Sequence, residues 1–262
     1  HNKVFDPNLR LFVEAVHEKA YPAKLGYEWV GRVVEVGAQV EGYQPGDLVH
    51  LPFPHGQTRT FAPVDMGLLG VKGPLPESVS PDQAVFLGTT SIAMQAVHDA
   101  QIKVGDHVVV FGLGVLGLLA VQLARINGAG WIAAVDPIAS RRRLAEAFGA
   151  NMTFDPIEKD IGLAIKSDFQ GADVAIEFSG SYEALHQAIR SVRMAGLVVA
   201  AGFYQGGGTS LRLGEEWLHN RVSMVASMRG WGNPHRQYPM WDRPRLRETS
   251  IALMGAGELK VK

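Results

Sequence analysis

The stretch Val108-Val-Val-Phe-Gly-Leu-Gly-Val-Leu-Gly117 decides the fold of this chain. Its apolar start predicts a buried strand, and its glycines follow the spacing Gly112-x-Gly114-x-x-Gly117. The first glycine permits a tight turn, the second lets the backbone approach a pyrophosphate, and the third lets a helix pack on the strand. The helix that begins there would direct free N–H groups at the phosphates. The stretch therefore predicts a dinucleotide-binding turn between a strand and a helix.

The chemistry around this turn is also predicted by the sequence. The backbone N–H groups of Val115 and Leu116 would face the pyrophosphate. Asp136 closes the next apolar strand 19 residues after Gly117, close to the ~20-residue spacing of a carboxylate that binds the ribose 2′-hydroxyl. Its charge would repel a 2′-phosphate, so we expect NAD rather than NADP. Arg141 either contacts the adenine or a phosphate, or belongs to the solvated face of a helix.

Composition excludes several classes of function. The chain has 262 residues, a net charge of −1 and 47% hydrophobic residues, which is ordinary for a globular protein and argues against nucleic acid as a partner. The longest apolar run, residues 108–124, is interrupted by glycines and is shorter than the ~18 residues of a membrane span. The absence of cysteine excludes disulfides and thiolate metal sites. No signal peptide opens the chain, so a cytoplasmic location is expected.

The pattern of apolar residues changes near residue 107. Before it, residues 1–25 are predicted irregular, and short strands at 29–37, 48–51 and 58–64 precede a helix at 88–100. After it, strands alternate with amphipathic helices, which indicates a parallel sheet covered on both faces. The strands are predicted at 107–111, 131–135, 173–178, 197–201 and 222–228, and the helices at 115–127, 140–148, 181–194 and 245–254.

Four segments resemble the medium-chain dehydrogenase/reductase superfamily: residues 25–37, 45–49 and 105–109, and the glycine motif at 112–117. The resemblance implies a β-rich GroES-like catalytic domain at 1–98, shorter at its start than the family pattern. A doubly wound Rossmann domain follows at 99–228, and residues 229–262 form an aromatic loop and a helix that return to the catalytic domain. The chain is most similar to a cysteine-poor branch that includes bacteriochlorophyllide a dehydrogenase-like proteins. It is also shorter at its end than the family pattern.

The resemblance implies that both zinc sites of the family's alcohol dehydrogenases are missing. These enzymes usually have Gly-His-Glu, with the histidine on the catalytic zinc, where this chain has Gly26-Tyr27-Glu28. A second cysteine ligand would fall near Leu87, and only residues 51–56 occupy the place of the structural zinc lobe. The expected activity is therefore zinc-independent interconversion of a secondary alcohol and a ketone, with NAD carrying the hydride.

Without zinc, side chains must polarise the carbonyl and handle the proton. Tyr27 either donates a hydrogen bond to the carbonyl oxygen or fills the space that the metal would occupy. Glu28 is either a proton relay or a structural carboxylate that pairs with an arginine. His55 is either a relay at the edge of the cleft or a solvated loop residue. The spacing of Glu28, His50 and His55 does not suit a local metal chelate.

The remaining cofactor contacts are predicted from the strand ends and from the resemblance. Ser91 falls where the family usually has a threonine that contacts the cofactor, although capping of its helix is equally compatible with its position. Ser179 and the pair Gly202-Phe203 follow two later strands, at the carboxyl edge of the sheet where ligands bind. We expect Ser179 and Phe203 to line the trough for the ribose and nicotinamide.

An aromatic loop and an apolar edge strand indicate possible binding surfaces near the end of the chain. The aromatic loop 231–241 belongs to the substrate pocket of a small or ring-bearing substrate, to a subunit contact, or to ordinary packing. Residues 221–228 would form an apolar edge strand, which by the resemblance pairs with its twin in a homodimer. The alternatives are an NADPH-dependent C=C reductase of the quinone-oxidoreductase kind, disfavoured by Asp136, and a catalytically silent NAD-binding protein.

Overall fold

The computed structural model describes residues 3–6, 8–14, 26, 28–52, 71, 73–228 and 240–261. The amino-terminal part contributes two antiparallel strand pairs, which β1 forms with β2 and β3 with β4. Two helices then lead to the large sheet. The elements of this part are β1 (Lys3–Asp6), β2 (Leu11–Glu14), β3 (Glu28–Arg32), β4 (Leu48–Pro52), α1 (Pro81–Ala84) and α2 (Leu87–Asp99).

From residue 107 strands and helices alternate, as the apolar pattern predicts. The strands are β5 (His107–Phe111), β6 (Trp131–Val135), β7 (Met152–Phe154), β8 (Ala172–Glu177), β9 (Val192–Ala200) and β10 (Ser223–Ala226). The helices are α3 (Val115–Ile126), α4 (Ala139–Ala147), α5 (Ile161–Phe169), α6 (Tyr182–Ser191), α7 (Glu216–His219) and α8 (Arg243–Gly255).

The six later strands form one sheet in the order β10-β9-β8-β5-β6-β7, and every neighbouring pair is parallel. The chain order runs outward from β5 through β6 to β7 and outward from β8 through β9 to β10, so it reverses between the neighbours β5 and β8 and a crevice opens there at the carboxyl edge. Both faces of the sheet are covered: Val108 and Val110 of β5 join one apolar core, and Val109 and Phe111 join the other. The predicted class is therefore confirmed, an α/β Rossmann sheet preceded by a β-rich domain.

Several predicted boundaries need correction. The first residues are not irregular, because the Asp6 carboxylate accepts the N–H groups of Asn8 and Leu9 and closes a turn between β1 and β2. Strand β3 ends at Arg32 rather than at residue 37. Helix α6 ends at Ser191, three residues early, because the backbone becomes extended at the following valine and β9 begins there.

Some elements of the structure were not predicted, and one predicted strand is not among the described residues. Helix α5 and the short strands and helices β7, α1 and α7 were not predicted. The strand predicted at 58–64 lies outside the described residues. Among the residues that the structure describes, none of the helices combines the length and apolar composition that crossing a bilayer would require.

Candidate functional site

The glycine-rich turn joins β5 to α3 at the crevice between β5 and β8. Gly112 has φ +81°, a conformation that L side chains rarely adopt. A Cβ on Gly117 would stand 1.8 Å from the carbonyl oxygen of Gly112, so only glycine lets the helix pack this closely on the strand. A Cβ on Gly114 would meet nothing within 4 Å, which leaves the space above this residue open. The tight turn at Gly112 and the close helix packing at Gly117 thus match the roles that the spacing predicts, and the approach of a pyrophosphate to Gly114 stays a prediction.

The start of α3 is suited to an anion. Gly114 is its N-cap and provides no side-chain hydrogen bond, so the N–H groups of Val115 and Leu116 lack an acceptor within the helix. The side chain of Val115 is exposed. A phosphate above Gly114 would meet these N–H groups and the positive end of the helix dipole.

Asp136 lies directly across from this turn at the end of β6 and is 3% exposed. One carboxylate oxygen accepts the N–H of Leu113 at 2.8 Å, and the other accepts the N–H of Ile138 at 2.8 Å. The carboxylate therefore holds the glycine-rich turn as well as carrying a negative charge beside it. The sequence predicts the charge but not this structural role.

Two arginines of α4 approach Asp136 differently. The Arg141 Nη1 atom lies 3.4 Å from the Asp136 carboxylate, and its side chain is largely exposed. Arg142 donates to the Asp136 carbonyl at 2.7 Å and to Asp155 at 2.9 Å. Arg142 is therefore part of the scaffold, whereas Arg141 stands at the mouth of the site.

Glu177, which sequence reasoning missed, organises the neighbouring loops from the end of β8. It is fully buried, and its carboxylate accepts the N–H and hydroxyl of Ser179, the N–H of Gly180 at 3.2 Å and the hydroxyl of Tyr204. Burial raises the pKa of Glu177, although the hydrogen bonds from Ser179 and Tyr204 oppose the rise. Burial beside this carboxylate also raises the pKa of Tyr204. The sequence signal that could have identified Glu177 is its place as the acidic last residue of an otherwise apolar strand.

The loops after β8 and β9 pack tightly against the glycine-rich turn. A Cβ on Gly112 would stand 2.7 Å from the Ser179 nitrogen, and one on Gly202 would stand 2.4 Å from the Gly180 nitrogen. Phe203 is 76% exposed at this edge. The structure thus brings Gly112, Ser179, Gly202 and Phe203 together, and the Ser179 hydroxyl donates its hydrogen to Glu177 rather than outward.

Glu28 and His50 form a pair on strands β3 and β4. Val30 stands opposite His50 in the ladder and Glu28 opposite Pro52, so the two side chains are diagonal neighbours on one face. The His50 Nε2 atom lies 2.5 Å from the Glu28 carboxylate, and both side chains are largely buried. The structural partner of Glu28 is thus a histidine and not the arginine of the sequence-based alternative.

The Glu28 carboxylate also reaches the start of helix α2. A Cβ on Gly88 would stand 1.8 Å from its Oε1 atom, so this helix position requires glycine. Nearby, the Ser91 hydroxyl donates to the Leu87 carbonyl at 2.9 Å. Ser91 therefore does not cap α2, whose N-cap is Phe86 without a side-chain hydrogen bond. Its contact with a cofactor stays a prediction.

The other predicted residues divide between packing and the undescribed part of the chain. Tyr27 and His55 lie outside the described residues, as do Trp231, His235 and Tyr238. Trp241 packs edge-on against His98 with ring centroids 4.4 Å apart, and the Arg245 guanidinium lies 4.1 Å from its ring centre. This member of the aromatic segment therefore attaches the start of α8 to α2.

Two family profiles match consecutive parts of the chain. The profile described as alcohol dehydrogenase GroES-like domain matches residues 7–84, and the profile described as zinc-binding dehydrogenase matches residues 115–243. Together they cover both the β-rich part and the doubly wound sheet.

Curated relatives and solved structures agree with the two profiles. A D-guloside 3-dehydrogenase of Escherichia coli (strain K12) is 37% identical over 238 residues, which are 90% of this chain and 67% of that protein. An (R,R)-butanediol dehydrogenase of Bacillus subtilis (strain 168) is 32% identical over 209 residues, 71% of this chain and 60% of that protein. A protein of Sinorhizobium meliloti 1021 solved with NADP superposes with a TM-score of 0.72 at 26% identity, covering 92% of this chain and 75% of that one.

Proposed function

The chain belongs to the zinc-type medium-chain dehydrogenase/reductase superfamily, and on this premise we propose that it interconverts a secondary alcohol of a polyol or sugar ring and the corresponding ketone, with NAD as the hydride carrier. The enzyme class follows from the relatives, which are named as dehydrogenases of sugars and alcohols. The substrate class is supported by the relatives named for a guloside and a butanediol. The chain spans about two thirds of the guloside enzyme's length.

The arrangement around the β5–β8 crevice carries the proposal. The open backbone at Gly114, the free N–H groups of α3 and the buried Asp136 carboxylate lie along one edge, in the order that a pyrophosphate and a ribose require. The preference for NAD rests on the charge of Asp136. The Arg141 guanidinium lies 3.4 Å from the Asp136 carboxylate and offsets part of its charge. If NADP bound, this guanidinium would be the group that pairs with the 2′-phosphate.

A bound nicotinamide would supply the hydride acceptor, and the residues at the edge of the sheet would hold it. Glu177 accepts hydrogen bonds from Ser179, Gly180 and Tyr204, so it would hold the loops that carry Ser179 and Phe203 in place around the cofactor. The exposed Phe203 ring would cover one face of the nicotinamide ribose and keep water away from the reacting carbon.

The described residues on this side of the protein do not supply a ligand set for the catalytic zinc of the family. Glu28 and His50 offer only two ligands, and among the described residues no third histidine or carboxylate joins them. The printed sequence contains no cysteine, and Tyr27 stands where the family has its histidine ligand. These residues support the proposal that the chain belongs to the zinc-lacking, cysteine-poor branch that its sequence resembles and that its proton chemistry uses side chains rather than a metal.

Proton transfer falls to Tyr27 together with the Glu28–His50 pair. During alcohol oxidation the Tyr27 hydroxyl would receive the substrate proton as it releases its own, and the Glu28–His50 pair, in which Nε2 and the carboxylate lie 2.5 Å apart, would serve as the proton acceptor. His55 would connect the pair to solvent. In ketone reduction the same groups would return the proton to the carbonyl oxygen.

The proposal is tested by titrating chelator-treated protein with NADH and NADPH, then assaying turnover with polyols, aldoses and glycosides. We expect tighter NADH binding and turnover that persists after metal removal. Tyr27→Phe should lower kcat at least ~100-fold with little change in NADH affinity, whereas the control Tyr43→Phe should not. Cofactor binding without any turnover would favour a catalytically silent protein, and turnover that vanishes with chelation and returns with Zn²⁺ would overturn the zinc-independent chemistry.

We also propose a homodimer through β10. In the part of the chain that the structure describes, one edge of β10 pairs with β9 and its other edge pairs with no strand. A free parallel edge exposes unpaired backbone groups. Met224 and Val225 are partly exposed on it, which favours an apolar contact with a second copy.

A further inference from the structure

Away from the cofactor edge, three side chains of metal-ligating types meet where α6 contacts α7. They are His186 of α6 and the consecutive Glu215 and Glu216 at the start of α7, and one ligand atom from each lies within 4.8 Å of the other two. In the described part of the chain this is the only group of three or more histidines and acids placed so closely. Neither the zinc chemistry of the family nor the proposed catalysis uses these residues.

His186 is the unusual member of this cluster. It is 4% exposed, and neither of its ring nitrogens has a hydrogen-bond partner among the residues that the structure describes. Its Nε2 atom faces the Glu215 carboxylate at 3.9 Å, which is too long for a hydrogen bond. Buried polar groups are nearly always paired, so two unpaired nitrogens on one ring need an explanation. Burial lowers the pKa of His186, which favours the neutral imidazole that metals bind.

One oxygen of each carboxylate lies within 4.8 Å of the other acid and of the imidazole. The Oε2 atom of Glu216 is buried without a hydrogen-bond partner in the described residues, while its Oε1 accepts from Arg190 at 3.0 Å. Glu215 accepts from the Arg212 Nε atom at 2.8 and 2.9 Å. A carboxylate oxygen has two lone pairs, so these arginines can orient the acids and still leave positions for a ligand.

We propose that His186, Glu215 and Glu216 bind a divalent transition-metal ion of the zinc type, with water at a fourth position. One imidazole and two carboxylates suit this ion, and bonds of 2.0–2.1 Å would place the ligand atoms about 3.3 Å apart. The ligand atoms, now up to 4.8 Å apart, must therefore approach one another by up to about 1.5 Å. The Glu215 side chain is 50% exposed, so a change of its side-chain rotamer can bring its carboxylate closer to the other two ligands.

The surrounding charges set the expected strength of the site. Arg190 and Arg212 already neutralise the two carboxylates, and they repel a cation that enters between them. We therefore expect a micromolar Kd rather than the nanomolar value of a site with unopposed ligands. The bound ion would fasten α7 to α6 and thereby fix the loop that runs from Phe203 to Glu215.

The test is calorimetric titration of the chelator-treated, desalted chain with Zn²⁺, repeated with Co²⁺ and followed by visible absorption. The wild type should bind one equivalent more than His186→Gln and Glu215→Gln, or bind that equivalent at least about tenfold more tightly. The second variant changes an exposed carboxylate to its isosteric amide, so it keeps the test valid if loss of the buried histidine impairs folding. His219→Gln, an exposed change on α7 itself, is the matched control.

A melting experiment provides the independent readout. Zn²⁺ should raise the Tm of the wild type and of His219→Gln, and should raise it much less in the two ligand variants, because only an ion bound to the folded state stabilises it. Equal stoichiometry, equal affinity and equal Tm shifts in all four proteins would place any bound ion elsewhere and overturn the proposal. Neither readout depends on catalytic activity, so failure of the proposed function would leave this test intact.

Discussion

At the scale of single residues, Asp136 has two roles that a mutation can separate. Asp136→Ala removes both the charge and the hydrogen bonds to Leu113 and Ile138, whereas Asp136→Asn removes the charge and keeps one acceptor. Because charge repulsion against a 2′-phosphate is worth on the order of 1–4 kcal/mol at about 4 Å, the ratio of kcat/KM for NADPH to that for NADH should rise at least ~10-fold in both variants.

Initial-rate kinetics with both cofactors distinguish the two roles. A shift confined to Asp136→Ala would mean that rearrangement of the glycine-rich turn, and not charge, sets the preference. An unchanged ratio in both variants would place Asp136 away from the ribose.

Glu177 gives a pH dependence whose sign follows from its burial. Because burial raises the pKa of this carboxyl in the folded protein above its ordinary 4.5, the folded state holds the proton more tightly than the unfolded chain. The stabilising contribution is therefore fully present below pH 4.5 and is lost as the pH rises through the folded value. Urea unfolding across pH 4–8 should show this decline in the wild type and not in Glu177→Gln.

The quantity to compare is the slope of the free energy of unfolding against pH, not its value at one pH. The amide of Glu177→Gln loses acceptors for Gly180 and Tyr204, so this variant should be less stable than the wild type at every pH by about 1–3 kcal/mol. The exposed Glu158→Gln serves as control and should retain the wild-type decline. If Glu177→Gln follows the same pH curve as the wild type, the pKa of Glu177 is not raised in the folded state.

At the scale of elements, the glycine-rich turn separates folding from binding. Gly117→Ala places a methyl group 1.8 Å from the Gly112 carbonyl oxygen and should lower the free energy of unfolding by about 1–3 kcal/mol or more. Gly114→Ala meets nothing within 4 Å at an ordinary φ of −69°, so its stability should stay within about 1 kcal/mol of the wild type.

The same Gly114→Ala should nevertheless weaken NADH binding at least ~10-fold, because its methyl group occupies the space that the pyrophosphate needs. Chemical denaturation and calorimetry on both variants check the pair. Normal NADH affinity in Gly114→Ala would place the phosphates elsewhere, and a fully stable Gly117→Ala would contradict the close helix packing.

How far the sequence predicts the elements depends on how local their determinants are. Strands β5 and β6 are predicted to the residue because they are apolar on both faces and end at a glycine and an acid. The end of α6 is not, because Val192 continues the helical pattern while the register of β9 against β8 demands extended backbone. Strand β7 has only three residues and depends on pairing with β6, which no local pattern reveals.

At the scale of the whole molecule, the candidate site is predictable where one motif holds it together. The turn at Gly112 and the acid at Asp136 follow from the glycine motif and its spacing, and the loop ends at Ser179 and Phe203 follow from the strand pattern, since parallel strands end at one edge. Glu177 and the Glu28–His50 pair were missed because their roles depend on partners 27 and 22 residues away. The predicted functions of Tyr27 and His55 stay predictions.

The edge strand β10 yields the last prediction, which concerns the assembly. Ser227 donates its N–H to Ala200 of β9 at 3.0 Å. Because backbone groups alternate in direction along a strand, Ala226 directs its N–H to the free edge. Ala226→Pro removes that donor without disturbing the ladder to β9, so it should convert a β10-mediated dimer to a monomer, whereas Ala226→Ser should remain dimeric. Sedimentation equilibrium decides: a dimeric proline variant would mean that the subunits meet elsewhere, and a monomeric wild type would remove the dimer altogether.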